Sequence, residues 1–149
     1  MVKHIAIYVR VSSKSQDTAS QEPDLKRWAA GQSEPVVWYR DKFTGKTLDR
    51  PGMTKLLAAI AAGKVSAVVV WRLDRLGRTA KGLTALLDDL AVRKVNLVSL
   101  REGLDLSTPA GRLMAHVIAS MAQYETEVRA ERVVAGQAAA RARGVTSDN

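Results

Sequence analysis

Arginine and serine side chains follow two of the apolar segments in this sequence. Arg10 and Ser12 end the first segment, in YVRVSSKSQ (8–16). The second leads into WRLDRLGR (71–78), where Asp74 lies among arginines at every third position: Arg72, Arg75 and Arg78. Guanidinium groups bind phosphate oxygens through paired hydrogen bonds and do not lose their charge. The two stretches therefore indicate a phosphate site, the alternative being a solvated basic face with one local ion pair.

A serine hydroxyl needs activation before it can act as a nucleophile, usually by a neighbouring histidine. Only His4 and His116 are available. The first begins a predicted strand, at the far end from Ser12, and the second lies in a predicted helix, so we interpret both as structural residues. This disfavours a Ser–His–Asp hydrolase. A serine surrounded by arginines can instead attack a phosphodiester, because their charge lowers the hydroxyl pKa and neutralises the developing negative charge.

Composition narrows the class of partner. The chain has 149 residues and a formal net charge of +8, which favours a polyanion, with nucleic acid ahead of an acidic membrane surface. It has no cysteine, which excludes disulfide scaffolds, thiolate zinc sites and cysteine nucleophiles. That absence fits a reducing cytoplasm, where we expect the protein. No apolar run approaches the length of a membrane span, so no membrane partner is expected.

Two motif-like stretches do not support a function. The segment TGKT (44–47) resembles the end of a phosphate-binding P-loop, but Arg40 stands where that motif needs glycine. Asp88 and Asp89 are adjacent acids on a predicted exposed helix face with no histidine near them. We interpret them as solvated side chains and predict no metal site.

The pattern of apolar residues predicts four strands, at residues 4–11, 35–40, 65–71 and 95–100. Start and stop signals predict helices between them, at residues 20–30, 51–63 and 79–93. Ser20 is the preferred N-cap of the first helix because it places Pro23 in the first turn. Strands alternating with helices predict an α/β fold, a mostly parallel sheet of about four to five strands flanked by helices. Ligands of such sheets bind outside the carboxyl ends of the strands, where Ser12 and the arginines lie.

The rest of the chain predicts one long helix from Pro109 to Arg143, about 50 Å in length, with Thr108 as its N-cap. Apolar residues recur along it at spacings of three and four: Leu113, Val117, Met121, Tyr124 and Val128. On a helix longer than its domain is wide, this seam predicts a dimer, and the alternative is a seam packed on its own sheet. Arg141 and Arg143 have no acid nearby and are candidates for phosphate contact or for interaction with the helix dipole.

With these motifs together, the sequence resembles the N-terminal catalytic domain of the serine recombinases, the resolvase/invertase family. The resemblance covers nearly the whole chain and rests on YVRVSSKSQ (8–16), DR (49–50), LDRLGR (73–78), STPAGRL (107–113) and QYE (123–125). It implies site-specific DNA recombination by a DNA strand transferase, in which Ser12 attacks a DNA phosphate and forms a covalent 5′-phosphoserine bond. It implies no metal and no nucleotide cofactor, because that bond retains the energy for resealing. The implied partners are double-stranded DNA and further copies of the chain, as a homodimer and as a tetramer in the synaptic complex.

The resemblance also implies roles for individual positions. Three arginines would hold the scissile phosphate: Arg10, Arg75 and Arg78. Asp74 would help proton transfer to the leaving 3′ oxygen, and Arg50 would be an additional phosphate ligand. Three further side chains would lie near the site: Gln16, Gln21 and Glu125 of the long helix.

The chain departs from the family pattern in two places. Thr126 stands where many relatives carry arginine, so that arginine's part in DNA contact or assembly is not carried over. The chain also stops soon after RARG (141–144), where relatives continue into a DNA-binding domain, and we expect a truncation rather than a partner that supplies recognition. The expected organisation is an α/β catalytic domain at residues 1–107, a long helix at 108–143 for dimerisation and DNA contact, and a tail at 144–149.

Two rival interpretations remain open. A non-catalytic dimer could bind DNA or nucleotide phosphates through the same arginines, with salt-dependent affinity and no covalent product. The presence of both Ser12 and Asp74 disfavours it. A receiver-like phosphoacceptor domain has a similar sheet but needs acids at the strand ends, where this sequence has arginines.

Overall fold

A computed structural model describes residues 2–12, 16–43, 50–77, 79–142 and 144, and only the backbone of residues 12, 16–20 and 43. The elements, in chain order, are β1 (His4–Ser12), α1 (Gln16–Ala30), β2 (Val36–Phe43), α2 (Pro51–Ala61), β3 (Val65–Val70), a 3₁₀ turn (Leu73–Arg75), α3 (Ala80–Val92), β4 (Asn96–Ser99), β5 (Leu104–Asp105) and α4 (Pro109–Ala142). The predicted α/β fold with one long final helix is confirmed.

The five strands form one sheet in the order β2-β1-β3-β4-β5. The first four are parallel, and β5 pairs with β4 in the antiparallel direction. Because parallel strands end at the same edge, the segments after β1, β2, β3 and β4 all leave the sheet at one edge, called here the carboxyl edge. The stretches that carry Ser12 and the arginine cluster are therefore neighbours, as the sequence predicted.

Side chains of β1 alternate between two apolar cores, one on each face of the sheet. Ile5, Ile7 and Val9 pack in one core, and Ala6 and Tyr8 pack in the other. Burial on both faces explains the near-continuous apolar sequences of β1 and β3. With the two-residue period of a strand, the next position on the Tyr8 face is residue 10, where the strand reaches the carboxyl edge.

Helix α1 begins earlier than predicted. The prediction took Ser20 as the N-cap, but the helix begins at Gln16 and Pro23 lies inside it. Proline lacks an N–H, so one hydrogen bond of the helix cannot form there. The fully buried side chain of Leu25 packs in the core with Ile5, Ile7 and Val9, and this tertiary packing outweighs the local cost of the proline.

Helix α4 is held to the body of the protein by its first turns. The hydroxyl of Thr108 accepts a hydrogen bond from the Gly111 N–H at 3.0 Å, as expected of an N-cap. A Cβ at Gly111 would lie 1.9 Å from the carbonyl oxygen of Asp105, so only glycine allows α4 to pass this close to β5. Farther along, Ile118 and Ala122 are buried. No helix in the described part of the chain is both long enough and apolar enough to span a membrane.

Candidate active site

The ends of β1 and β3 lie side by side at the carboxyl edge. Parallel pairing aligns Ile7 with Val69. The residues that come after Val70 therefore lie beside the last residues of β1. Nη2 of Arg10 donates a hydrogen bond to the carbonyl oxygen of Asp74 at 3.1 Å. The structure thus joins the stretch 8–16 to the stretch 71–78.

The segment from residue 72 to residue 75, called here the arginine turn, is a single 3₁₀ turn after β3. The buried side chains of Leu73 and Leu76 fix it to the core. Between them Asp74 is about half exposed, with Oδ2 at 3.5 Å from Nη2 of Arg72 and Oδ1 at 3.9 Å from Nε of Arg75. The Asp74 carboxylate is therefore flanked by the exposed guanidinium of Arg72 and the largely buried guanidinium of Arg75.

Arg50 approaches the same turn from the start of α2. Its Nη2 donates to the carbonyl oxygen of Arg75 at 3.3 Å and to the hydroxyl of Tyr8 at 3.2 Å. Its guanidinium carbon also lies 5.9 Å from the centre of the Tyr8 ring, within the range of a cation–π contact. The chain thus brings Arg10, Arg50 and Arg75 together, although they come from three separate segments.

A buried carboxylate that the sequence analysis missed supports Arg50. Oδ1 of Asp41 accepts from the Gly52 N–H at 2.7 Å, and Oδ2 accepts from the Met53 N–H at 2.9 Å and from the Tyr8 hydroxyl at 2.7 Å. Asp41 therefore caps α2, whose own N-cap residue, Arg50, provides no side-chain bond. Burial and the bond to Asp41 raise the pKa of Tyr8 to about 12. The sequence offered only an acid directly after the predicted second strand, and its partners follow from the register that pairs it with Arg10.

Gln21 of α1 is buried next to the end of β1. Its Nε2 donates to the carbonyl oxygen of Arg10 at 3.4 Å. Its Oε1 accepts no hydrogen bond from the described residues. The observed contact of Gln21 is thus with the backbone that carries Arg10.

The remaining predicted residues are less fully described. Ser12 is the last residue of β1 and Gln16 the first of α1, and their side chains lie outside the described part, as do the whole of Arg78 and Arg143. Glu125 is half-buried on α4, and Arg141 is exposed in its last turn. The structure therefore joins Arg10, Arg50, Asp74 and Arg75 into one cluster and leaves the other roles as predictions.

His4 and Asp89, which lie outside this cluster, have structural partners. His4 Nε2 lies 2.8 Å from the Tyr39 hydroxyl at the opposite edge of the sheet, and burial lowers the pKa of His4. Asp89 accepts from Nε of Arg93 at 3.1 Å within α3. No three acid or histidine side chains in the described ranges are grouped as metal ligands would be.

Comparison with known proteins decides the family. Residues 5–146 match the family described as "Resolvase, N terminal domain". The chain belongs to the resolvase family of serine recombinases. A DNA-invertase of Escherichia phage P1 is 42% identical over 137 residues, which are 92% of this chain and 70% of the invertase.

Solved structures of recombinases have the same fold. The N-terminal catalytic domain of TP901-1 integrase matches with a TM-score of 0.71 and 32% identity, over 85% of this chain and 98% of that domain. A resolvase family site-specific recombinase from Streptococcus pneumoniae matches with a TM-score of 0.74 and 26% identity, over 93% of this chain and 99% of that one. This recombinase chain therefore has the fold of a serine recombinase catalytic domain, and it is an enzyme of the strand-transferase class.

Proposed function

We propose that this chain catalyses the cleavage and rejoining steps of site-specific DNA recombination. The Ser12 Oγ attacks a DNA phosphorus atom, a phosphoserine ester bond forms, and the bond from phosphorus to the 3′ oxygen breaks. The serine proton is lost, and the leaving 3′ oxygen gains a proton. Rejoining reverses these steps with a 3′ hydroxyl of a new partner strand. One phosphodiester replaces another, so the chemistry needs no external energy source such as a nucleotide, and the guanidiniums neutralise the charge that a metal ion would otherwise neutralise.

The observation that carries this proposal is the convergence of Arg10, Arg50 and Arg75 beside the end of β1. Three guanidiniums in one place stabilise an anion, and phosphate is an anion whose oxygens can bind several guanidiniums at once. In this site Arg10, Arg75 and Arg78 hold the scissile phosphate, and Arg50 is a further ligand. Asp74, flanked by arginines and half exposed, is placed to pass a proton to the leaving oxygen.

The other predicted residues have supporting roles in this proposal. Gln21 orients the Arg10 backbone through the bond described above, and Gln16 of α1 and Glu125 of α4 assist the reaction near the phosphate. Arg141 and Arg143 contact DNA phosphates beyond the catalytic centre. Residues 1–107 form the catalytic domain, 108–143 the helix for dimerisation and DNA contact, and 144–149 a tail. The protein acts where DNA is, in the cytoplasm.

We further propose that α4 pairs with a second copy of the chain. Four of the predicted seam residues are exposed, by 65%, 45%, 52% and 68%: Leu113, Val117, Met121 and Tyr124. Val128 is half-buried. The sheet of the same chain does not cover the seam, and a stripe of large exposed apolar side chains at this spacing is typical of helix pairing. Two such dimers on two DNA sites would form the tetramer that exchanges strands.

Covalent trapping tests the proposal. The protein is incubated with supercoiled plasmids that carry the genomic DNA around its coding sequence, and the reaction is stopped with detergent. We expect a protein–DNA adduct that mass spectrometry locates at Ser12, and no adduct from Ser12→Ala. Ser66→Ala is the matched control, because Ser66 lies at the start of β3, away from the carboxyl edge, and bonds Glu34. Salt-dependent DNA binding without any adduct would instead support the non-catalytic dimer.

A further inference from the structure

Glu102 links the turn after β4 to the arginine turn after β3. Strands β4 and β5 form a hairpin in which Ser99 pairs with Leu104, so residues 100–103 are its turn. The Gly103 N–H donates to the Leu100 carbonyl at 3.2 Å, and Gly103 has a φ of +63°, in the left-handed region that favours glycine. This tight turn fixes the position from which the Glu102 side chain extends.

Both carboxylate oxygens of Glu102 accept hydrogen bonds. Oε2 accepts from the Leu73 N–H at 3.1 Å, and Oε1 accepts from the hydroxyl of Ser99, which is fully buried. The backbone of the hairpin turn is also tied to the end of β3, since the Arg101 N–H donates to the Trp71 carbonyl at 2.8 Å. Glu102 thus lies between two segments that already run side by side.

The Leu73 N–H is at the beginning of the arginine turn, where a helical segment has no internal acceptor for its first N–H groups. Arg72, at the N-cap position, provides no side-chain bond, so Glu102 supplies the acceptor from a later part of the chain. At the other end of the turn, Arg10 and Arg50 donate to the carbonyls of Asp74 and Arg75. One carboxylate and two guanidiniums therefore hold the turn at its two ends.

We propose that Glu102 is a positioning residue for the active site. It keeps the arginine turn in place, so that Asp74 and Arg75 face the phosphate that Ser12 attacks. Glu102 bonds backbone and serine groups and touches none of the reacting atoms, so it acts through the turn. The part of this inference that concerns cleavage rests on the function proposed above, whereas the part that concerns the turn stands on its own.

The turn is tested in the 149-residue chain by amide hydrogen exchange at Leu73. We expect exchange about tenfold faster in Glu102→Ala, which is about 1.4 kcal/mol and the size of one lost hydrogen bond to a charged group. The exchange rate at Leu73 in Glu102→Gln should stay close to that of the protein without substitutions. The glutamine amide oxygen can accept from the Leu73 N–H, and the Ser99 hydroxyl can rotate to accept from the glutamine NH₂. Unchanged exchange at Leu73 in Glu102→Ala overturns the proposal, whatever the activity.

The consequence for cleavage is measured as the rate of adduct formation at saturating plasmid. Glu102→Ala should be about tenfold slower with unchanged plasmid affinity, and Glu102→Gln should recover most of the rate. Glu34→Ala is the matched control, because Glu34 also accepts a serine hydroxyl but at the far edge of the sheet. Equal rates in the unchanged protein and Glu102→Ala overturn the cleavage role. If the protein without any substitution forms no adduct, the proposed function is contradicted instead. The positioning role is then decided by the exchange rate of the Leu73 amide alone.

Discussion

The hydroxyl of Tyr8 accepts a hydrogen bond from Nη2 of Arg50 at 3.2 Å. The same hydroxyl donates to the buried carboxylate of Asp41 at 2.7 Å. Asp41 is therefore linked to Arg50 by two hydrogen bonds that meet at the Tyr8 hydroxyl. The same carboxylate caps α2, the helix that begins directly after Arg50. The position of this arginine is set by groups on two strands of the sheet, and each can be removed separately.

Tyr8→Phe removes the hydroxyl and keeps the ring under the guanidinium. We expect the free energy of unfolding to fall by about 1–2 kcal/mol, because Asp41 loses one donor in a buried place. Adduct formation should slow by a few-fold to about tenfold, because Arg50 keeps its bond to the Arg75 carbonyl. Urea denaturation and the trapping assay measure the two effects. A normal rate combined with the stability loss would show that the hydroxyl serves folding alone.

The raised pKa of Tyr8 predicts a dependence of stability on alkaline pH. The folded protein holds the Tyr8 proton to about pH 12, while an unfolded chain releases it near the ordinary value of 10.0. This stabilisation is complete below pH 10 and is lost as pH rises toward 12. The difference in unfolding free energy between the unchanged protein and Tyr8→Phe should therefore narrow over that range. Ring resonances of Tyr8 that titrate near pH 10 would contradict this.

Gly52→Ala should displace the start of α2. A Cβ at this position would lie 2.4 Å from the carbonyl oxygen of Arg40 and 3.0 Å from Oδ1 of Asp41. We expect the free energy of unfolding to fall by about 1–3 kcal/mol, the usual cost of overpacking. Adduct formation should also be slower, because Arg50 moves with the helix. Gly136→Ala is the control: it lies in α4 with nothing within 4 Å of its Cβ, and it should gain about 0.5–1 kcal/mol. Thermal melting compares the two variants.

Met121→Glu should prevent pairing through α4. A charge at the centre of the seam would have to be buried against the partner helix, which is costly without a counter-charge. Sedimentation velocity should show a monomer at concentrations at which the unchanged chain is a dimer. Val92→Glu, at an 82% exposed position at the end of α3, should leave the dimer intact. If the chain is monomeric before any substitution, the proposal that two copies pair through this seam is wrong.

The sequence predicted those parts of the site that depend on local pattern. The rule that parallel strands end at one edge placed the stretch that ends β1, with Arg10, beside the stretch that carries Asp74. Contacts between distant segments left no such pattern. Asp41 reaches Tyr8 and Gly52 only through the register of β1 and β2, and Glu102 reaches Leu73 only through the hairpin. The prediction of about four to five strands is confirmed, but no range was given for β5, since two residues show no period.

Burial along α4 ends early: the described buried residues are Gly111, Ile118 and Ala122. From Ala122 to Ala142 the helix extends for about 30 Å. This part acts as a lever, and a tilt of about 10° at its base carries the far end about 5 Å, nearly the pitch of one helical turn. The buried part of α4 that precedes it rests, at Gly111, on the carbonyl of Asp105, in the same hairpin that carries Glu102. A load applied to the far end is therefore transmitted through the buried part of α4 to both of its supports, α3 and the hairpin that holds the arginine turn.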